Sequence, residues 1–248
     1  MNSDLDIVLS VWVSMAFLYV AMPVRGRAAQ KNAPGAGKAV LAYLSGIAVF
    51  LLACFALRKE WTAAAYVLLW SALALGMVSV AFCGYGLRVM RRTNGWLHPL
   101  SGALLLPYLL PTWLFHAWRR AQSGPATEIA PNVYLGGYPW GRGPWRAVLD
   151  MTCEYPMPSA PKGAAYLNIP CVDGVPVIAA DLAAGSQFVE AHRAAGPVLI
   201  HCAIGRYRSA RVVAQWLQDF QGMTEQDAWR LMRQKRPLVR PPKHLKLD

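Results

Sequence analysis

Charge is scarce in this 248-residue chain. Only 15% of its residues are Asp, Glu, Lys or Arg, against 55% apolar, a balance too greasy for a single water-soluble domain. Acid is scarcest: thirteen Asp/Glu face twenty-five Lys/Arg, and only three of the acids precede residue 121. No internal repeat or low-complexity tract stands out, which sets aside repeat arrays and compositionally biased tails. Positive charge is missing from the extreme N-terminus, where Asp4 and Asp6 stand instead, so the first apolar run does not read as a cleavable signal. Outside one motif, the five His and five Cys show no metal-ligand spacing, and no metal or other cofactor is expected. No basic helix or stacking platform accompanies the net charge of +12, which argues against a nucleic-acid partner.

What is abundant is apolar sequence, concentrated before residue 120. Ile7–Val24, Ala39–Leu57 and Trp61–Leu87 are free of charge, and each is long enough to span a bilayer as a helix. Trp96–Trp118 is a fourth run, interrupted by Pro99, Pro107 and Pro111. Trp61, Tyr85, Trp96 and Trp118 sit near run ends, as interfacial aromatics do. The loop 25–38 holds four basic residues and no acid, and 88–92 holds three. Both loops follow odd-numbered runs, so the positive-inside rule sends them to the cytoplasm and the N-terminus outside. Four full spans then leave the C-terminal half outside. Arg119 and Arg120, directly after the fourth run, vote for the inside. A fourth run that dips in and returns, leaving three true spans, reconciles the two, as does a failure of the charge rule. The expected arrangement is an integral protein of a bacterial inner membrane with its C-terminal half cytoplasmic, in contact with membrane lipids. The expected divisions are a transmembrane region over 1–120, a linker over 121–128 able to extend at most about 35 Å at about 3.5 Å per residue, and a C-terminal domain over 129–248.

His201-Cys-Ala-Ile-Gly-Arg-Tyr-Arg-Ser209 carries the chemistry. It follows the apolar run 197–200 and leads into a helical pattern with Val212, Val213, Trp216, Leu217 and Phe220 on one face. A cysteine at a strand end, and an arginine six residues on at the start of a helix, suit an oxyanion. Successive backbone N–H groups and the positive helix end converge on one point. The same field lowers a thiol pKa and makes Cys202 a thiolate at neutral pH. Arg208 grips two phosphoryl oxygens with its planar fork, and Gly205 permits the tight turn. Strand-like runs at 132–136, 147–152, 165–169 and 197–201 alternate with helical patterns at 179–195, 206–221 and 225–236, an α/β domain with Cys202 at a carboxyl strand end.

On these residues the chain resembles the cysteine-dependent phosphatases, specifically the protein tyrosine and dual-specificity superfamily, over roughly residues 129–242. Asn132–Gly137 looks like the family's opening strand, Arg146–Thr152 like its second, and Tyr166–Pro170 leads to the expected general-acid loop. The position of the motif, late in the chain, argues against the low-molecular-weight and arsenate reductase branch, and rhodanese-like sulfur transferases do not need this combination. The implied fold is a multi-span α-helical membrane domain followed by an α/β dual-specificity-phosphatase-like domain with a mainly parallel sheet flanked by helices.

The implied mechanism is attack by Cys202 on phosphorus to give a phosphocysteine. The loop His201, Ala203, Ile204, Gly205, Arg206, Tyr207 and Arg208 holds the phosphoryl oxygens. Asp173 protonates the leaving group, with Asp181 as the runner-up, and Ser209 helps expel the thiolate. The family position before the signature arginine is often small, whereas here it is Tyr207. Arg206 resembles the second arginine of members that accept lipid headgroups, or it is a solvated basic rim. Cys153 resembles the resolving cysteine of some lipid-phosphatase relatives. Short matches around Asp173-Gly-Val-Pro, Ala184–Phe188, Arg236-Pro and Arg240-Pro are similar to phosphatidylglycerophosphate phosphatases. Three functions follow: a membrane-anchored protein phosphatase, a phospholipid headgroup phosphatase, and an inactive phosphate-binding scaffold. Oligomeric state is not legible.

Overall fold

The computed structural model describes residues 36–90, 95–158, 162–242 and 244–245. The first apolar run, 7–24, and most of the basic loop 25–38 lie outside them. The chain forms two compact units, divided between Thr112 and Trp113.

In the first unit, α1 (Ala36–Arg58) packs on α2 (Thr62–Val80), which continues through a π-type turn, Ala81–Tyr85, into the short α3 (Gly86–Met90). The buried seam of α1 is Ala39, Ala42, Gly46, Ala53 and Ala56, small residues at near-heptad spacing that let two backbones approach closely. Their outward neighbours Val40, Leu41, Leu44, Leu51 and Phe55 are large, apolar and exposed. Next comes α4 (Pro99–Ala121), a continuous helix with Pro107 and Pro111 inside it rather than a dip and return. The Thr112 hydroxyl donates to the Tyr108 carbonyl (2.7 Å) beside the second proline. Three helices of the described residues are long and apolar enough to cross a membrane: Gly37–Arg58, Thr62–Tyr85 and Pro99–Ala121.

The second unit takes in the last turns of α4 and all that follows. Its sheet has the order β1-β2-β5-β3-β4, with β1 Thr127–Ala130, β2 Val133–Gly136, β3 Ala147–Thr152, β4 Ala165–Cys171 and β5 Val198–His201. Pairings are parallel except β1 with β2. The short β1 was not expected from sequence. Every residue of β3 and β5 is buried, as parallel strands covered on both faces must be. Helices α5 (Ala179–Arg193), α6 (Arg208–Gln221) and α7 (Glu225–Lys235) complete the unit. Val212, Val213, Trp216 and Leu217 of α6 enter the core beside Trp229 and Met232 of α7, but Phe220, expected on that face, is exposed. Gly222 closes α6 in a left-handed conformation, and the Thr224 hydroxyl caps α7 through the Asp227 N–H.

Segment 121–128 is bound rather than extended. The Ser123 hydroxyl donates to Arg119 O and accepts from Arg206, and Pro125 O accepts from Arg236.

Leu149 lies fully buried on β3, between Leu167 of β4 and Ile200 of β5. Leu149→Ala is expected to cost about 2–5 kcal/mol, transfer term plus cavity, measurable as a lowered thermal midpoint of the full-length protein in detergent.

Candidate active site

The loop after β5 places Cys202 at the carboxyl end of the sheet, 3% exposed. Its Sγ accepts from the Gly205 backbone N–H and the Ser209 hydroxyl, each at 3.3 Å. Burial pushes the thiol up, but the Arg208 charge and the hydrogen bonds from Ser209 and Gly205 outweigh it and hold the pKa below the ordinary value. Gly205 has φ +75°, and a Cβ there would run into the Gly136 carbonyl. Only glycine turns the loop against β2 at that point.

Arg208 opens α6 and is 1% exposed. Glu154, which the sequence reading missed, holds it by two hydrogen bonds, Nη2 to Oε1 at 2.6 Å and Nη1 to Oε2 at 3.0 Å. Nη1 also donates to the Cys171 carbonyl (2.8 Å) and the Met151 carbonyl (3.3 Å). Burial alone would lower the guanidinium pKa; the Glu154 and Asp173 carboxylates override it and raise it well above the ordinary value. The buried Nε has no hydrogen-bond partner, so one N–H of the fork remains to be satisfied by an anion.

Asp173 lies two residues beyond β4 with its side chain 46% exposed, Oδ1 3.2 Å from Arg208 Nη2. Asp181 instead occupies the first turn of α5, where a carboxylate favours the helix dipole. His201 is fully buried, its Nε2 3.8 Å from Asp150 Oδ1 and its ring edge-on to Tyr138. Asp150 in turn accepts from the Thr152 N–H and hydroxyl and from the Tyr166 hydroxyl. Ala203 and Ile204 pack with Tyr138 and Tyr155, and Tyr207 occupies the N-cap position of α6.

Arg206 corrects an expectation. It is 7% exposed, not a solvated rim, and it donates to Ser123 Oγ (2.8 Å) and Arg119 O (3.3 Å). Arg236 does similar work, reaching Gly205 O, Pro125 O and Thr127 Oγ1, and the Arg240 N–H donates to Arg206 O. Cys153 is buried, its thiol 3.5 Å from Glu154 Oε2.

The end of α4 supplies further residues that sequence reasoning left out of the site. Trp113 donates its indole N–H to Glu154 O (2.9 Å) and Arg120 donates to Tyr138 O (2.5 Å). His116 lies against Tyr155, rings 6.0 Å apart and 30° inclined. The one available signal was spacing: residues 113, 116 and 120 share a helix face. Among the described residues no group of His, Cys, Asp and Glu has the arrangement of a metal site.

Residues 145–247 match the family model of the dual specificity phosphatase catalytic domain. Over 126 residues the chain is 32% identical to MAP kinase phosphatase with leucine-rich repeats protein 3 of Dictyostelium discoideum, covering 46% of this chain but 14% of that protein. Over 129 residues it is 29% identical to human dual specificity phosphatase 28, covering 47% of this chain and 71% of that one. The crystal structure of human DUSP28 superposes with a TM-score of 0.43 at 27% identity, over 48% of this chain and 86% of that one. The C-terminal half carries a dual-specificity phosphatase-type catalytic domain, of the class of phosphoric monoester hydrolases.

Two outcomes follow from the geometry. Iodoacetamide inactivation should rise with pH and level off below the ordinary cysteine range of about 8.5; Ser209→Ala, removing one donor to Sγ, should move that midpoint upward. Glu154→Ala strands the buried Arg208 charge and is expected to cost about 3–5 kcal/mol, read as a fall in thermal midpoint.

Proposed function

We propose that this chain is a membrane-anchored phosphatase that hydrolyses phosphomonoesters of proteins through a phosphocysteine intermediate. The observation that carries the reading is the Cys202 thiol, lowered in pKa and held beside an Arg208 fork that Glu154 fixes in place. Cys202 attacks phosphorus in line; loop N–H groups and the Arg208 Nε–H meet the equatorial oxygens as charge develops on them. Asp173, beside Arg208, gives its proton to the departing alkoxide or phenoxide. Ser209, bonded to Sγ, stabilises the thiolate when water later releases phosphate. The lowered thiol and the preserved fork weigh against an inactive scaffold.

Exposed apolar side chains along α1 and the three long apolar helices support the membrane reading. A reduced cytoplasmic compartment suits an active-site thiolate in a domain with other cysteines. The protein substrate is favoured over a phospholipid because Arg206, the residue that spoke for a lipid headgroup, is buried and turned toward Ser123 and Arg119.

Phosphate release by the detergent-purified full-length protein tests both readings on a phosphotyrosine peptide and on phosphatidylglycerophosphate. The peptide is expected to be turned over with the higher kcat/KM, Cys202→Ser falling to background. Arg208→Lys should lose about 10²–10³ in kcat, the scale of a lost oxyanion donor. Preference for the lipid would make this a phospholipid enzyme. Equal silence of wild type and Cys202→Ser on both would leave only phosphate binding.

A further inference from the structure

His116 stands in an apolar helix, yet its side chain is 4% exposed and its Nε2 lies 3.7 Å from Asp173 Oδ2. The other ring nitrogen, Nδ1, is buried with no hydrogen-bond partner. That asymmetry assigns the ring proton. A proton on Nδ1 would be a stranded donor, whereas a proton on Nε2 faces a carboxylate. The ring itself is fixed from the side by Tyr155, which also packs on Trp113 and Tyr138.

The two oxygens of Asp173 are therefore differentiated. Oδ1 faces Arg208 Nη2 at 3.2 Å and Oδ2 faces His116. We infer that His116 is a positioning residue for the general acid: it holds the Asp173 carboxyl over the Cys202 loop and receives the charge that proton donation leaves behind. The inference rests on Asp173 being that acid. As the P–O bond breaks, the leaving oxygen takes the Asp173 proton and the carboxyl becomes a carboxylate. At 3.7 Å the His116 N–H is too distant for a hydrogen bond; a shift of about 0.8 Å would bring it to one. An incoming phosphoryl group competes with Oδ1 for the Arg208 fork, so His116 retains the carboxyl when Arg208 turns to substrate. The contribution matters only when the leaving group needs a proton.

That restriction separates positioning from packing. Full-length wild type, His116→Ala, His116→Gln and Asp173→Asn are compared on phenyl phosphate, whose leaving group is poor, and on 2,4-dinitrophenyl phosphate, whose leaving group departs without help. Asp173→Asn is expected to lose a large part of the 10²–10⁴-fold that general-acid catalysis supplies on the phenyl ester only. His116→Ala should lose roughly tenfold on the same ester and keep the dinitrophenyl rate, which also reports a folded site. His116→Gln, whose amide N–H reaches the Nε2 position, should recover part of the loss. If Asp173→Asn splits the two esters but His116→Ala slows both equally, or neither, the inference about His116 is wrong while Asp173 stands. If Asp173→Asn itself produces no split, the general-acid reading fails and the inference falls with it.

Discussion

The ion pair between Arg208 and Glu154 is the constraint around which the catalytic half is arranged. A guanidinium taken out of water is tolerable only when its charge is opposed and its N–H groups are satisfied. Glu154 opposes it in the bidentate geometry that suits arginine, and the carbonyls of Met151 and Cys171 take further hydrogen bonds. Met151 lies in β3, Cys171 ends β4, and Arg208 begins α6. One side chain thus fastens two strand ends to a helix start and leaves Nε as the donor beside the thiol loop. Lysine could meet the charge but not the two-pronged geometry.

A second set of arginines explains where much of the positive charge goes. Arg206, Arg236 and Arg120 each reach a backbone carbonyl, of Arg119, Gly205 with Pro125, and Tyr138 respectively. A loop whose N–H groups point at an anion turns carbonyls the other way. Here Gly205 O receives Arg236 and Arg206 O receives the Arg240 N–H. Net charge alone would have suggested a basic surface for an acidic partner; burial of Arg206 and Arg236 gives those cations an internal task.

The sequence disclosed the parts of the fold that depend on local pattern. The run at 147–152, the strand before His201-Cys202, and the loop cysteine with its arginine all carry their signal within a few residues. Partners joined by the fold did not. Glu154 reaches Arg208 across 54 positions, and nothing local marks Glu154 beyond its place after a strand. β1 escaped because Thr127-Glu-Ile-Ala130 buries only Ile129 and offers no apolar run to read. Arg206 read as either a lipid-headgroup arginine or a solvated rim, since its neighbours in sequence say nothing of Ser123, 83 positions away. His116 was hidden differently: it lies within an apolar run, and only the packing of its face against Tyr155 places it near Asp173.

The last turns of α4 therefore cannot be treated as mere anchor. Trp113 bonds the Glu154 carbonyl, Glu154 grips Arg208, Arg208 faces Asp173, and Asp173 faces His116, three residues after Trp113 on the same helix. The circuit closes on itself, and each member restricts the next. A domain cut at residue 129 would lose Trp113, His116, Arg120 and Ser123 together, stripping partners from the Glu154 and Tyr138 carbonyls, the Asp173 carboxylate and the Arg206 guanidinium. Those groups line or brace the site rather than the sheet core. Such a fragment would keep Leu149, Ile200, Val213 and Trp216, whose burial folds the sheet, while the loops that carry the proposed chemistry lost their outer support. Folding and catalytic geometry thus rest on different parts of the same chain, and the geometry draws on a helix that apolarity alone would assign to the bilayer.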